Sequence, residues 1–228
     1  PEVIDLVSFL NKCGVKISLN KRTFKIIGQD NLNLANYDVI PDRIEAGSYI
    51  LATMATQGKL ILKNLIIDHL KEPIRLFKKM GLKVKKISDN EFEFKCGVIN
   101  PISIINTREY PGFPTDLQAQ LISIFLKNGK KSKIRENIFE NRFIHIPELR
   151  RFGANISLKN NTVEVNKVKE LNGAEVMATD LRGSFSLIIA AMLSKGQSII
   201  NRIYHLDRGY EDFDLKLNKY GVNIKRKK

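Results

Sequence analysis

The sequence predicts an α/β fold of the α+β type, an inside-out α/β barrel of βαβαββ repeats with helices packed inward and small sheets outside. Three observations predict it. Asp42, Asp116 and Asp180 each stand between an extended segment and an apolar helical pattern, and Gly58, Gly129 and Gly196 follow them by 16, 13 and 16 residues. Gly14, Gly81, Gly153 and Gly221 close a second helical pattern at intervals of 67, 72 and 68 residues. Finally, the pairs Asp89-Asn90 and Asn160-Asn161 sit between alternating apolar residues, which is the pattern of a tight hairpin turn.

Taken in order, EVIDLVSFLNKCGVKISLNKRTFKI reads as a helix, a glycine stop and two strands. That is the second half of a repeat, so a first half is expected to precede Pro1. The segments IPDRIEAGSYILATMATQGKLILKN, FPTDLQAQLISIFLKNGKKSKIREN and MATDLRGSFSLIIAAMLSKGQSIINR each run from an extended stretch through an aspartate and an apolar helix to a glycine and a strand. Their second halves, EPIRLFKKMGLKVKKISDNEFEFK, HIPELRRFGANISLKNNTVEVNK and YEDFDLKLNKYGVNIKRKK, read as a helix, a glycine stop and one or two strands. The stopping glycines suit the position just past a helix end, where the left-handed region carries no steric cost for glycine. No repeat could bury its apolar faces alone, so three full repeats over residues 42–228 are expected to share one core. Residues 1–41 are expected to be the end of another domain, with the boundary near Tyr37 to Asp42.

Composition excludes several classes. The 228 residues are 43% hydrophobic and 27% charged, as in a globular chain. The most apolar stretch, around Leu187 to Leu193, is far shorter than the ~20 residues that span a bilayer, so no membrane partner is expected. Cys13 and Cys96 stand singly, and His69, His145 and His205 do not cluster with them, so neither a zinc site nor a disulfide framework is expected. A reducing cytosol is the simplest compartment. The net charge of +14 comes mainly from scattered lysines; with no nucleic-acid motif beside it, a solvated lysine-rich surface is favoured over polynucleotide binding.

Asp116 lies in YPGFPTDLQAQ, where prolines stiffen the approach to a helical pattern of Leu117, Leu121, Ile122 and Phe125. An aspartate at such a junction is first of all an N-cap, and its recurrence at Asp42 and Asp180 strengthens that reading. Arg142 and Arg208 fall where second helices should begin, and Arg182 falls in the first turn after Asp180. A cation there opposes the helix dipole by roughly 0.3–1 kcal/mol, so three such choices suggest an external anion. Neutralisation by Glu140, Asp180 and Asp207 is the competing explanation. No P-loop, GxGxxG fingerprint or serine elbow offers another phosphate or nucleophile site.

The stretches YPGFPTDLQAQ, IFENRFIHIPELRRFGA, GAEVMATDLRGS and IYHLDRGYEDFDLKLNKYGVNI closely resemble the C-terminal part of the UDP-N-acetylglucosamine 1-carboxyvinyltransferase family. The resemblance extends through YDVIPDRIEAG and covers essentially the whole chain. It implies an enolpyruvyl transferase of two similar domains, each made of three βαβαββ repeats with helices inside. It also implies the substrates: phosphoenolpyruvate adds to the 3′-hydroxyl of UDP-N-acetylglucosamine through a tetrahedral intermediate, and phosphate is then eliminated, in the synthesis of peptidoglycan precursors. No cofactor is implied. By the same resemblance Asp116 contacts that hydroxyl and acts as general base. Arg142, Arg182 and Arg208 hold the carboxylate and phosphate, Ile138 touches the UDP-sugar, and Asp180 caps and orients while Asp42 only caps.

A reactive-loop cysteine, a lysine, an asparagine and further arginines of the family are expected to lie before Pro1. Neither Cys13 nor Cys96 matches that loop, so the chain by itself is expected to be inactive without the N-terminal half. Three alternatives stand beside this reading. One is the related shikimate-phosphate enolpyruvyl transferase, another a noncatalytic binding or scaffold protein, and the last a polynucleotide-binding relative of an RNA-end-processing family that uses a similar repeated fold.

Overall fold

The computed structural model describes residues 1–128 and 131–227. Gly129, the stop expected after the middle central helix, lies outside them. The chain divides into two compact units, Pro1–Asp42 and Arg43–Lys228.

The first unit holds helix α1 (Glu2–Lys12) and the antiparallel strands β1 (Lys16–Asn20) and β2 (Thr23–Ile27), joined at Lys21, whose φ is 55°. Gly14 ends α1 at φ 99°, in the left-handed region assigned to it from sequence. Tyr37 ties the following segment back to the helix: its hydroxyl donates to Asp5 Oδ1 at 2.7 Å, and its ring meets Phe9 edge-on at 5.4 Å. Helix α1 is amphipathic yet buries no residue, and Val3, Ile4, Leu6 and Phe9 are exposed.

In the second unit the repeats follow one another. The first contributes α2 (Arg43–Ala55), β3 (Lys59–Leu62), α3 (Lys71–Lys79), β4 (Lys83–Ser88) and β5 (Glu91–Lys95), with the strands in the order β3-β5-β4. The second contributes β6 (Ile104–Asn106), α4 (Gln118–Phe125), β7 (Ser132–Arg135), α5 (Ile146–Arg151), β8 (Asn155–Lys159) and β9 (Thr162–Asn166), in the order β6-β7-β9-β8. The third contributes β10 (Glu175–Met177), α6 (Leu181–Leu193), β11 (Ile199–Asn201), the single turn α7 (Tyr204–Asp207) and α8 (Phe213–Lys219), with β10 and β11 paired in parallel.

Only the second repeat carries the full βαβαββ order among the described residues. Within the second unit no strand precedes α2, and among the described residues none of the one or two strands expected after α8 is formed. After Gly221 the chain folds back on α8: Val222 N donates to Leu217 O, and the Asn218 side chain holds both the N–H and the C=O of Ile224. Both predicted Asx turns do link neighbouring strands, and Gly81, Gly153 and Gly221 all adopt positive φ.

The core is helical. Helices α2, α4 and α6 pack on one another, and all eight residues of α4 are buried. A helix buried on every side is largely apolar all round, and α4 is so apart from Gln118, Gln120 and Ser123, which are buried with it. Each fully buried Leu, Ile or Phe contributes about 1.5–3 kcal/mol. Ser123 Oγ joins α4 to α6 by donating to Ser186 O at 2.8 Å. At the middle, Gln120 Nε2 donates to Ser48 Oγ (2.9 Å) and Tyr210 OH (3.1 Å), and these two hydroxyls lie 2.8 Å apart.

Candidate active site

Asp116 does not cap α4. Pro114 leads into a 3-10 turn, Thr115–Leu117, and α4 starts only at Gln118; neither Pro114 nor Leu117, the residues at the cap positions, makes a side-chain cap bond. The tight turn carries Asp116 inside the helical entry, where its carboxylate cannot reach back to the first-turn amides. It meets two guanidinium groups instead. Arg142 Nη2 donates to Oδ1 at 2.6 Å and Arg182 Nη2 to Oδ2 at 3.5 Å. The first distance is that of a charge-assisted bond, the second is long. The three side chains are only 36%, 22% and 14% exposed, so water screens them less than a surface ion pair.

Asp180 behaves as the sequence predicted. It is the extended N-cap of α6 (φ −157°, ψ 178°), and its carboxylate accepts from Gly183 N. A Cβ at position 183 would stand 2.5 Å from Asp180 Oδ1 and 2.9 Å from His145 Cβ, so the cap closes only over glycine. This fixes the first turn of α6 and with it Arg182, whose guanidinium lies 5.7 Å over the Tyr210 ring. Tyr210 is fully buried, stacks on Phe185 at 4.5 Å and belongs to the central Gln120–Ser48 network. Burial raises its pKa, with Arg182 pulling the other way, so it stays a neutral phenol.

Arg142 follows Asn141, which takes φ 52°, in the turns before α5, and its guanidinium lies 5.3 Å over the Phe139 ring. His145, three residues on, is 1% exposed, and burial followed by the charge of Arg142 pushes its pKa down to about 3. Ile138 is partly exposed at 37%, on the loop between β7 and Arg142. That loop is held by Glu136, a buried carboxylate that accepts from Ile138 N (2.8 Å) and Phe139 N (3.2 Å).

Arg208 is placed differently from its expected position at the start of a helix. It caps the C-terminal end of the one-turn α7, and α8 begins five residues later at Phe213. The dipole argument therefore reverses for it, because a cation is favoured at a helix C-terminus. Arg208 is exposed and lines a cleft of about 520 Å³ with Glu45, Tyr210 and Arg226. Tyr210 thus lies between that cleft and Arg182, while no ion pair among the described residues joins Arg208 to Asp116. Two of the three carboxylates expected to neutralise the arginines are occupied elsewhere: Asp180 by Gly183 N, and Asp207 by Arg226, with Nη2 2.7 Å from Oδ1 and Nη1 3.1 Å from Oδ2; the third, Glu140, is exposed. Asp42 immediately precedes α2.

Glu136 and Tyr210 escaped the sequence reading. For Glu136 the signal was present: Ser132, Ile134 and Glu136 alternate with Lys133 and Arg135, which puts a carboxylate on the inward face of β7 and its continuation. Among the described residues no group of three or more His, Cys, Asp and Glu side chains is placed to hold a metal, and no helix is long and apolar enough to cross a membrane. Chemically, the arrangement is a half-exposed carboxylate between two guanidinium groups. A guanidinium has five N–H donors, and Arg142 gives one to Asp116, so the site can receive a planar or tetrahedral oxyanion.

Comparison with known proteins places the chain among carboxyvinyltransferases. UDP-N-acetylglucosamine 1-carboxyvinyltransferase of Pelagibacter ubique is 47% identical over 227 residues, 99% of this chain and 54% of that protein. The protein of the same name from Geobacter metallireducens is 45% identical over 230 residues, 100% of this chain and 55% of that one. The chain thus spans about half the length of the curated relatives it matches. Among solved structures, the enolpyruvyl transferase NikO from Streptomyces tendae superposes with a TM-score of 0.86 at 26% identity, over 98% of this chain and 54% of its own. EPSP synthase from Acinetobacter baumannii shares the fold, with a TM-score of 0.71 at 15% identity, over 96% of this chain and 54% of its own. The family model described as EPSP synthase (3-phosphoshikimate 1-carboxyvinyltransferase) matches residues 1–217, and the chain therefore belongs to the EPSP synthase family of carboxyvinyltransferases.

Proposed function

We propose that this chain supplies one half of an active site that transfers the enolpyruvyl group of phosphoenolpyruvate to the 3′-hydroxyl of UDP-N-acetylglucosamine, as a step of peptidoglycan precursor synthesis. The observation that carries the proposal is the Asp116 carboxylate held between Arg142 and Arg182 beside the Ile138 loop. The sugar oxygen attacks C2 of phosphoenolpyruvate as a proton adds to C3. The tetrahedral adduct then expels phosphate and loses a C3 proton, leaving the enol ether. Asp116 takes the proton of the attacking hydroxyl, which requires hydrogen-bond reach in the bound state. Arg142 and Arg182 suit the phosphate or carboxylate of phosphoenolpyruvate, with Arg208 in the adjoining cleft. An arriving oxyanion competes with Asp116 for the guanidinium donors and so releases the carboxylate to act as a base.

The other half of the site is supplied by a further domain of the same enzyme, of which residues 1–41 are the end and residues 42–228 the three-repeat counterpart. Support comes from the span of about half of each relative and from the exposed apolar face of α1. Because electrostatic stabilisation needs donors on both sides of the developing charge, half a site loses most of it. Both substrates are cytosolic metabolites, which assigns the protein to the cytoplasm. Relatives named for the UDP-sugar are 42–47% identical, against 15% for an EPSP synthase structure, and this favours the UDP-sugar over shikimate 3-phosphate as acceptor.

The test is phosphate release from phosphoenolpyruvate by the complete gene product, with each acceptor in turn and with Asp116→Ala beside it. Release that depends on UDP-N-acetylglucosamine and falls about 10²–10⁴-fold in the variant is expected. A folded complete product that releases none with either acceptor overturns the reading in favour of a noncatalytic binding protein.

A further inference from the structure

We propose that Glu136 is a positioning residue that locks the Asp116 turn to the Ile138 loop, so that the base and the acceptor-binding loop are set against each other by one buried carboxylate. The proposal rests on the transferase reading above. Glu136 is 2% exposed, and no cation pairs with it among the described residues. Its two oxygens have separate duties. Oε1 accepts from Thr107 Oγ1 at 2.9 Å, Ile138 N at 2.8 Å and Phe139 N at 3.2 Å. Oε2 accepts from Thr115 Oγ1 at 2.8 Å, and Thr115 opens the 3-10 turn that carries Asp116.

The main chain of Glu136 is fixed independently. Its N–H donates to Asn161 O at 2.8 Å, and Asn161 Nδ2 donates to its carbonyl at 2.9 Å, so the tip of the β8–β9 hairpin holds the residue at the end of β7. Thr107, at the end of β6, completes the network by accepting from Asn137 N at 2.8 Å while it donates to Glu136. Beyond Glu136 the loop continues through Phe139, whose ring lies under the Arg142 guanidinium. Three residues of the candidate site, Asp116, Ile138 and Arg142, are thereby referred to one strand end, in addition to the direct bond between Arg142 and Asp116.

A buried carboxylate stripped of water is costly unless its lone pairs are met, and here two backbone amides and two hydroxyls meet them. Hydroxyl donors can turn round but amides cannot. A glutamine at this position can therefore keep its carbonyl oxygen on the Ile138 and Phe139 amides and turn its NH₂ toward Thr115, whose hydroxyl then accepts. Alanine leaves the Ile138 and Phe139 N–H groups without this acceptor.

The experiment measures kcat and the acceptor KM for the complete gene product and for Thr115→Val, Glu136→Gln and Glu136→Ala, together with amide hydrogen exchange at Ile138 and Phe139. Thr115→Val cuts only the Oε2 link, and kcat is expected to fall about 10-fold with the acceptor KM within about 2-fold, since a misplaced base of ~1 Å is enough for up to 10². Glu136→Ala is expected to lower kcat, raise the acceptor KM and speed exchange at both amides, and Glu136→Gln to restore KM and exchange. Equal kcat and KM in all four proteins, or losses that only track the folded fraction, overturn the positioning role. If the unsubstituted protein turns nothing over, the transferase reading fails. Exchange then decides the locking by itself: faster exchange at both amides in Glu136→Ala, with partial loosening in Thr115→Val, upholds it, and unchanged exchange overturns it.

Discussion

The His145 imidazole is held neutral by burial, and a proton can reach it only by opening the fold. Its pKa of about 3 lies below the ordinary 6.5, so between these values the unfolded chain binds the extra proton and stability rises with pH. Its contribution is intact above pH 6.5 and is lost progressively as pH falls toward 3. Going from pH 7.5 to 5.5 is expected to cost about 1 kcal/mol through this residue. Urea unfolding at the two pH values measures it, and an undiminished pH slope in His145→Phe would sink the assignment. Asp116, Arg142, Arg182 and Asp180 were all legible in the sequence as charged residues at helix starts. What one residue does with its charge was less legible. Asp116 and Asp180 stand at matching repeat positions, yet the 3-10 turn after Pro114 sends one to arginines while the extended entry sends the other to a backbone amide.

Among the elements, the central helices and the capping turns should respond differently to substitution. Leu121 on α4 is fully buried, so Leu121→Ala is expected to cost about 2–5 kcal/mol, whereas Asp180→Ala, which removes the α6 cap, should cost about 1 kcal/mol. Chemical denaturation of both variants tests the ranking, and a cap variant as unstable as the core variant would contradict it. Repeat order and helix stops could be read from glycine spacing because Gly14, Gly81, Gly153 and Gly221 answer to backbone φ, which is a local property. Strand pairing is not local. The bracket from Asn218 to Ile224 recurs six residues apart in Asn11 with Ile17, where the same contacts lead into a paired strand. Only the presence of a neighbouring strand separates the two outcomes, and no pattern within the segment encodes that. Arg208 was misread for a related reason, since a one-turn helix too short for any periodicity came between it and α8.

For the whole molecule, the division at Asp42 sets expectations for the chain as a unit. The 228 residues alone are expected to release no phosphate from phosphoenolpyruvate, measurable in the same assay as the complete product; turnover by this chain alone would contradict the need for a second domain. Hydrogen exchange should separate the units as well, with α1, which buries nothing, exchanging far faster than α4, which is buried throughout. Three similar repeats share one core, and none of them closes it alone. The hydroxyl of Ser48, the amide of Gln120 and the phenol of Tyr210 come one from each repeat and meet at a single buried point. Remove any one of the three and the other two are left buried without that partner, so the triad rewards only the state in which all three repeats are in place: it makes the core answer to the whole set of parts rather than to any pair of them.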